Sequence, residues 1–482
     1  MSENTVYQKS KKGRMGYSFD TYEVDHMTST DFLPENLVRK TEARLPELSE
    51  FDVVRHYTRL SKKNYSIDTH FYPLGSCTMK YNPRINEETA AQKGFSQTHP
   101  MQYQYTVQGN LCLIYELGEA LKQITGMDGV SLQPCAGAHG ELTGLLMIRA
   151  CLTDRGNPRK KIITPDSAHG TNPASAAMCG YGIVSIKTGE DGFIDPAEVQ
   201  RVMNEDCAGI MITNPSTLGI FEKNIKKIAD IVHAKGGLVY MDGANLNAVV
   251  GQISMADLGV DCLHINLHKT FSTPHGGGGP GAGPVVVNNV LEPYLPVPVI
   301  SKDKYGRYFA DYNREKTIGR MRVFLGNFAI LVRAYTYIRE LGLDGIKKVS
   351  KMAVLNANYI RARLKDHYQL KYDSPSLHEV VFSDATLKGT NVKTIDVAKR
   401  IIDYGFHPPT VYFPIIVPGA IMIEPTETES KETIDDFCDA MIKIAAEIKN
   451  NPEKIIRAPE TTCISRLDEV KAVKEPVLRE RF

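Results

Sequence analysis

Seven short apolar runs, at 129–132, 161–164, 182–186, 208–213, 238–241, 262–267 and 283–287, constrain what this chain can fold into more than any other feature. Glycine, proline or polar turn residues close each of them. Continuous Val/Ile/Met runs of this length fit strands buried on both faces. Helix-like segments at 142–152, 173–179, 196–204 and 225–235 lie between them. Strands alternating with helices predict an α/β domain built on a mostly parallel, doubly wound sheet. After Gly319 the pattern changes. Residues 327–341 and 346–367 read as long helices, and shorter segments at 379–382, 395–404, 420–423 and 430–449 complete an α+β unit. The expected organisation is an N-terminal arm over 1–70, a large domain over 71–330 and a small C-terminal domain over 331–482. A chain of 482 residues favours more than one core.

Charge narrows the function classes. The net charge of +1 gives no broad attraction to nucleic acid or to an anionic membrane. The polar N-terminus lacks a signal-peptide core, and the apolar stretch at 411–423 is broken by Pro414 and Pro418 and too short to span a bilayer. A cytoplasmic home is the expectation. Nine cysteines without a Cys-x-x-Cys pair read as reduced, mostly buried thiols rather than a disulfide frame.

Lys269 ends the apolar run from Cys262 and opens a loop of small residues, Thr270-Phe-Ser-Thr-Pro-His-Gly-Gly-Gly-Gly-Pro-Gly281. A buried ammonium is costly, so a lysine there is a poor structural element. A partly buried amine loses its proton more readily and becomes a nucleophile toward carbonyl groups. Upstream, Leu238-Val-Tyr-Met-Asp242 is an apolar run ending in a carboxylate. An acid at one strand end and a lysine at a later one are the two anchors of pyridoxal 5'-phosphate, for the ring nitrogen and the aldehyde. Gln133-Pro-Cys-Ala-Gly-Ala-His-Gly-Glu141 follows a strand and opens a helix, which suits a phosphate. Ser167-Ala-His169-Gly-Thr-Asn-Pro-Ala-Ser175 and Asn214-Pro-Ser-Thr-Leu-Gly219 also follow strands. His169 can lie against an aromatic ring, and the Asn214 amide can meet a phenolate or start a turn. All of these fall where an open α/β sheet places its ligands.

Two other motifs carry less. Gly276-Gly-Gly-Gly-Pro-Gly281 matches a dinucleotide fingerprint literally, but Pro280 and Pro284 oppose the helix that motif needs. His264 and His268 have metal-like spacing, yet in one strand they would stand about 13 Å apart. No metal site is expected.

These residues make the chain recognisable. It resembles the P-protein family of the glycine cleavage system, glycine dehydrogenase (decarboxylating), in its split two-subunit form. The similarity rests on His70-Phe-Tyr-Pro-Leu-Gly-Ser-Cys-Thr-Met-Lys-Tyr-Asn-Pro83, the segment around His169, Tyr240-Met-Asp-Gly-Ala-Asn245, Asn266-Leu-His-Lys-Thr-Phe271, Pro408-Pro-Thr-Val-Tyr412 and Ile423-Glu-Pro-Thr-Glu-Thr-Glu429. The resemblance implies a fold-type-I, aspartate aminotransferase-like enzyme dependent on pyridoxal phosphate. Lys269 would hold the cofactor covalently, Asp242 would meet its ring nitrogen and His169 would stack on the ring. The amides of Ala136, Gly137 and Ala138 would hold the phosphate, with His268 nearby. Glycine would be decarboxylated and its aminomethyl group passed to the lipoyl arm of the H-protein. A first subunit would complete an α2β2 assembly. Ser76, Thr78, Lys80, His99 and His275 are candidates near the glycine carboxylate and the lipoyl arm. One departure is His139, where the family more often has glutamine.

Two other readings stay open on the residues alone. Another fold-type-I enzyme (an aminotransferase, a cysteine desulfurase or a serine hydroxymethyltransferase-like enzyme) shares the anchors, although 408–429 lacks the arginine an aminotransferase usually offers. A non-catalytic scaffold subunit is the second, and Lys269 argues against it.

Overall fold

The structure, a computed structural model, describes residues 3–16, 28–41, 43–99, 101–276 and 279–478. It divides into two compact units, His70–Glu460 and a smaller one made of Met1–Thr69 with Thr461–Phe482. In the smaller unit the helix Glu50–Ser61 starts at Ser49, whose hydroxyl accepts the Asp52 N–H, an N-cap of the usual kind.

The larger unit is built on a seven-stranded sheet. Its strands are β1 (Gly129–Ser131), β2 (Lys161–Pro165), β3 (Gly182–Ile186), β4 (Cys207–Thr213), β5 (Leu238–Gly243), β6 (Cys262–Ile265) and β7 (Val285–Val287), in the order β1-β7-β6-β5-β4-β2-β3. The pairs from β6 to β3 are parallel, and only the pairings with β7 are antiparallel. All seven expected strands are present and the sheet is mostly parallel, as the apolar runs predict. One differs in extent. The run at 262–267 ends as a strand at Ile265, and Leu267–Thr270 is a short helical turn. His264 and His268 therefore sit on different elements, not along one strand.

The four expected helices between the strands also form, as Gly137–Asp154, Thr171–Met178, Pro196–Val202 and Ile225–Ala234. The first lies unusually close to the sheet. A Cβ on Gly140 would stand 2.6 Å from the Gly283 carbonyl oxygen and 2.8 Å from His264 Cβ, and one on Gly144 would stand 2.7 Å from the Tyr240 ring. These two glycines set how near the helix N-terminus comes to the ends of β5 and β6.

Four hydrophobic clusters fill this unit, two of them larger than the others. The larger holds Ile210, Met241, Leu263 and Phe271 among many others. The second holds Phe71, Phe382, Ile423, Phe437 and Met441. It backs a small sheet of β10 (Val380–Phe382), β12 (Ile421–Ile423) and β11 (Thr410–Val411), in that order; a separate hairpin pairs β8 (Val299–Lys302) with β9 (Tyr308–Asp311). The two expected long helices form Phe328–Leu364, interrupted at Gly342, whose φ of 59° and ψ of −174° break the helical path. Ile330 and Val349 on this element belong to the larger core, and Ile360 and Leu364 to the second.

The segment from His70 packs on the small sheet and its core. Phe71 packs edge-on against Phe437 at 5.1 Å, Leu74 bridges to Ile423, and the Thr410 hydroxyl donates to the Gly75 carbonyl. A Cβ on Gly75 would meet Met422 Cγ at 2.2 Å. The stretch can therefore lie on the small sheet only with glycine at that point.

Replacing Gly144 by valine should overpack the helix against Tyr240 and Cys262 and cost about 1–3 kcal/mol. The check is a urea midpoint that falls at an unchanged slope.

Candidate active site

Sheet register assembles the first part of the site. Thr213 pairs with Asp242, and Asp242 with His264, across the carboxyl ends of β4, β5 and β6. In-register residues of neighbouring parallel strands share a face, so these three side chains stand side by side. The helix Gly137–Asp154 approaches the same face, and the turn Leu267–Thr270 carries Lys269 just beyond β6.

One cavity is lined by Ser76, Gly137, Ala138, Glu141, His169, Thr213, Asp242, Asn266, Lys269, His378 and Glu379, together with several loop residues. Lys269, Asp242, His169, Gly137, Ala138 and Ser76 are thus brought together. Asp242 is buried, accepts from Asn172 Nδ2 and the Ala244 N–H at 3.0 Å each, and has His264 Nε2 3.6 Å from Oδ1. Burial alone would raise its pKa; the charge of His264, the two donors and Lys269 together outweigh it and hold the carboxyl below its ordinary value of 3.8. It is a buried acid kept ionised. The Tyr240 hydroxyl, 2.6 Å from His264 Nδ1, extends the network beneath it.

His169 is oriented through a relay. Its Nδ1 lies 2.9 Å from the Thr171 hydroxyl, which donates to Glu141 at 2.6 Å, and its ring stands edge-on to Phe413 at 5.7 Å. Ser175 also donates to Glu141.

The helix Gly137–Asp154 begins at Ala136 with no side-chain cap. Its first N–H groups, on Gly137 and Ala138, are therefore open to an anion, with the helix dipole behind them. Ala136 itself sits at the N-cap and does not line the cavity. His139 turns back, and its Nδ1 accepts the Cys135 N–H at 3.3 Å. Burial and Arg322 lower its pKa, so the histidine at the unusual position braces the loop as a neutral ring.

Four of the motif-based candidates do not line this cavity. Thr78 is buried, and its N–H and hydroxyl both go to Glu424. Lys80 is buried in an ion pair with Glu427 at 2.7 Å and also donates to Asn247 Oδ1 and the Thr270 carbonyl. Burial alone would lower its pKa; Glu427 and Tyr337 hold it above the ordinary lysine value. His99 is exposed and lines a separate apolar groove with Phe95, Met101 and Phe328. His275 stands edge-on to His268 at 5.4 Å. His268 lies outside the cavity lining too, where burial, Lys269 and His275 lower its pKa to about 3 and leave it neutral. Asn214 accepts the Glu222 N–H and leaves its own Nδ2 without a partner.

The residues missed from sequence are Glu141, Asn172, His264, His378, Glu379 and Glu424. Glu141, Asn172, His264 and Glu424 lie inside segments already singled out, without a role in this site. His378-Glu379 opens a buried apolar strand, and two titratable groups at the head of such a run were the available signal.

The donors and acceptors present fit pyridoxal phosphate. An ionised buried acid suits a protonated ring nitrogen, a lysine suits an aldehyde, and an uncapped helix N-terminus suits a phosphate. Thr213 Oγ1 and Asn266 Oδ1, both on lining residues, have no protein partner. Two triads of possible metal-ligand atoms, Glu141/Asp242/His264 and His378/Glu379/Glu424, each converge within 4.8 Å. Their carboxylates already accept protein donors, and both groups read as hydrogen-bonded networks.

Comparison with known proteins places the chain. Residues 349–462 match a family model described as glycine dehydrogenase, C-terminal domain, and residues 140–279 match aminotransferase class-V. A protein of Caldanaerobacter subterraneus named probable glycine dehydrogenase (decarboxylating) subunit 2 is 55% identical over 475 residues, covering 98% of each chain. The crystal structure of an inhibitor-bound glycine decarboxylase (P-protein) superposes with a TM-score of 0.72 at 18% identity, covering 86% of this chain and 94% of that one. An aspartate aminotransferase from Thermus thermophilus superposes at 0.54 with 11% identity, over 79% and 98%. The fold is the fold-type-I, aspartate aminotransferase-like architecture.

Lys80→Met should leave Glu427 as an unpaired buried charge and cost about 3–5 kcal/mol. Urea unfolding should show that loss, and Lys80→Met with Glu427→Leu should recover most of it.

Proposed function

From a chain that belongs to the family of glycine dehydrogenase (decarboxylating) subunit 2, we infer an enzyme that decarboxylates glycine with pyridoxal phosphate and passes the aminomethyl group to the lipoyl disulfide of an H-protein. The observation that carries the reading is the pair of Lys269 and an ionised Asp242 on the lining of one cavity, facing an uncapped helix N-terminus. The cofactor, when bound, supplies an electron sink for the pair left behind as CO2 departs.

This chain's residues do the rest. The Lys269 amine, on the cavity lining, would hold the cofactor's aldehyde group. The Asp242 carboxylate keeps a proton on the ring nitrogen, since Asn172 and the Ala244 amide hold it in place and ionised. His169, braced by Thr171, is in reach of a ring face. The Gly137 and Ala138 amides take the phosphate. Which bond breaks depends on which substituent is held perpendicular to the ring, so the groups around the glycine carboxylate decide the outcome; Ser76 is the motif-based candidate that lines the cavity.

The partner is a first subunit, as the "subunit 2" in the relatives' names supports, within an α2β2 assembly. Among the described residues, no helix is long and apolar enough to cross a membrane. A cytoplasmic home belongs to the same proposal, supported by nine unpaired cysteines.

The test is exchange of labelled bicarbonate into glycine by this chain, with cofactor and lipoylated H-protein, with and without the partner subunit. Exchange should appear, and visible absorbance should be bleached by borohydride. Lys269→Ala should reduce both to background. Exchange by neither preparation would overturn the assignment. Asp242→Asn should lower the turnover rate about 10²- to 10³-fold. The sign of its pH dependence follows from its lowered pKa. The carboxylate's contribution is complete above the ordinary value and is lost only as pH falls through the depressed one. Wild-type cofactor absorbance should therefore hold steady from neutral pH down to about pH 5.

A further inference from the structure

Glu379 and Glu424 are two buried acids beside the cavity that the mechanism above leaves unused. They lie with His378 at the mouth of the small sheet, and His378 and Glu379 line the cavity that holds Lys269. Their surroundings are unequal. Glu424, fully buried, accepts the Thr78 N–H at 3.0 Å, the Thr78 hydroxyl at 2.7 Å and Asn245 Nδ2 at 2.8 Å. Glu379, 2% exposed, accepts one donor, the Ser76 N–H at 2.9 Å. Ser76 and Thr78 have φ of 65° and 51°, a left-handed conformation that non-glycine residues rarely adopt. The chain is bent there so that one amide meets each carboxylate.

Two carboxylates this close do not both ionise in a buried site. Glu424 takes three donors where Glu379 takes one, so the proton falls to Glu379. Burial first, and then Glu424, push the Glu379 pKa well above the ordinary range, against the opposing pull of Ser76 and Lys269. The other titratable groups facing it do not reverse this. Burial lowers the pKa of His378, leaving its ring neutral, with Nδ1 unpartnered and Nε2 3.8 Å from Glu379. Burial raises the Cys77 thiol to about 11.

The reaction inferred above needs such a group. Glycine enters with an ammonium and must release a proton to become a nucleophile. CO2 then leaves, its electron pair stays on carbon, the carbon–sulfur bond forms and the disulfide bond breaks. The second sulfur departs with an electron pair and needs a proton to end as a thiol. One proton is released and one is consumed, so no outside acid, oxidant or reductant is required. We propose that Glu379 carries this proton, giving its own to the departing lipoyl sulfur and regaining one from the incoming glycine ammonium. Ser76 positions it, and Glu424 beside it favours the protonated form between turnovers. The proposal rests on the glycine–lipoyl reading of the site.

The experiment compares the cofactor-loaded enzyme, assembled with its partner subunit, as wild type, Glu379→Gln and Glu379→Asp. Infrared spectra should show the band of a protonated buried carboxyl at neutral pH, lost in Glu379→Gln and present in Glu379→Asp. In single turnovers with lipoylated H-protein, free-thiol formation should slow about 10²- to 10⁴-fold in Glu379→Gln and partly recover in Glu379→Asp. Cofactor absorbance and its change on adding glycine should persist in both variants. A neutral-pH spectrum without a carboxyl band that depends on residue 379, or thiol formation at the wild-type rate in Glu379→Gln, overturns the proposal. If Glu379→Gln loses its cofactor, Glu379→Asp decides alone, by the same two readouts. Absence of glycine-dependent thiol formation in the wild type would instead overturn the functional reading itself.

Discussion

The site depends on keeping one carboxylate charged where water does not reach. Burial works against Asp242, and a lone acid in that position would take up a proton. The backbone prevents this in two ways. Parallel register sets His264 beside Asp242, and the turn after β5 folds the Ala244 amide back onto it. Asn172, from the helix after β2, supplies the third contact. Three separate segments therefore converge on one functional group, and the close approach allowed by Gly140 and Gly144 brings a fourth, the uncapped helix Gly137–Asp154, to the same place. A helix held farther out would leave the acid and the helix N-terminus too far apart for one small cofactor.

The same physical rule gives opposite results for acids at the two ends of the cavity. Asp242 is given donors and a histidine, and stays ionised. Glu379 is given one donor and a second carboxyl beside it, and keeps its proton. Both are almost fully buried, so the difference lies in the partners and not in the depth. A cavity with a fixed anion at one end and a neutral acid at the other can hold a cationic ring and still serve a step that consumes a proton. Glu424 is the group that makes this possible, because it takes three donors and raises the pKa of Glu379.

Much of the fold was legible in the sequence because strand burial leaves a direct trace. Continuous apolar runs marked all seven strands of the large sheet, and glycines and prolines marked their ends. The run from Cys262 was the exception. Its alternating apolar residues continue through Leu267, but the chain turns at Asn266 because Lys269 must leave the sheet, and apolar periodicity carries no sign of that turn. Lys269, Asp242, His169, Gly137 and Ala138 were legible because each lies at or beyond the carboxyl end of a strand, and an open α/β sheet gathers such positions at one edge. Thr78 and Lys80 were drawn from the same dense motif as Ser76, yet their side chains bond to Glu424 and to Glu427. A dense motif marks a region under constraint without separating packing from chemistry. Glu379 and Glu424 were missed because they lie in another part of the chain and meet the site only through tertiary structure.

That last point explains why the segment from His70 is so demanding in sequence. It must lie along the small sheet at Gly75, where any side chain would collide with Met422. It must then turn through two left-handed residues and send Lys80 across to Asn247, Thr270 and Glu427. Each requirement concerns a different neighbour. Together they tie the strand end at Glu424, the cavity wall at Ser76 and the turn that carries Lys269 into one connected structure. A change in the small sheet would therefore be felt at Lys269 through Lys80 and the Thr270 carbonyl, although no residue of that sheet touches the turn in the hydrogen bonds described. The segment is short and without regular secondary structure, and it joins the small sheet to the turn that carries Lys269.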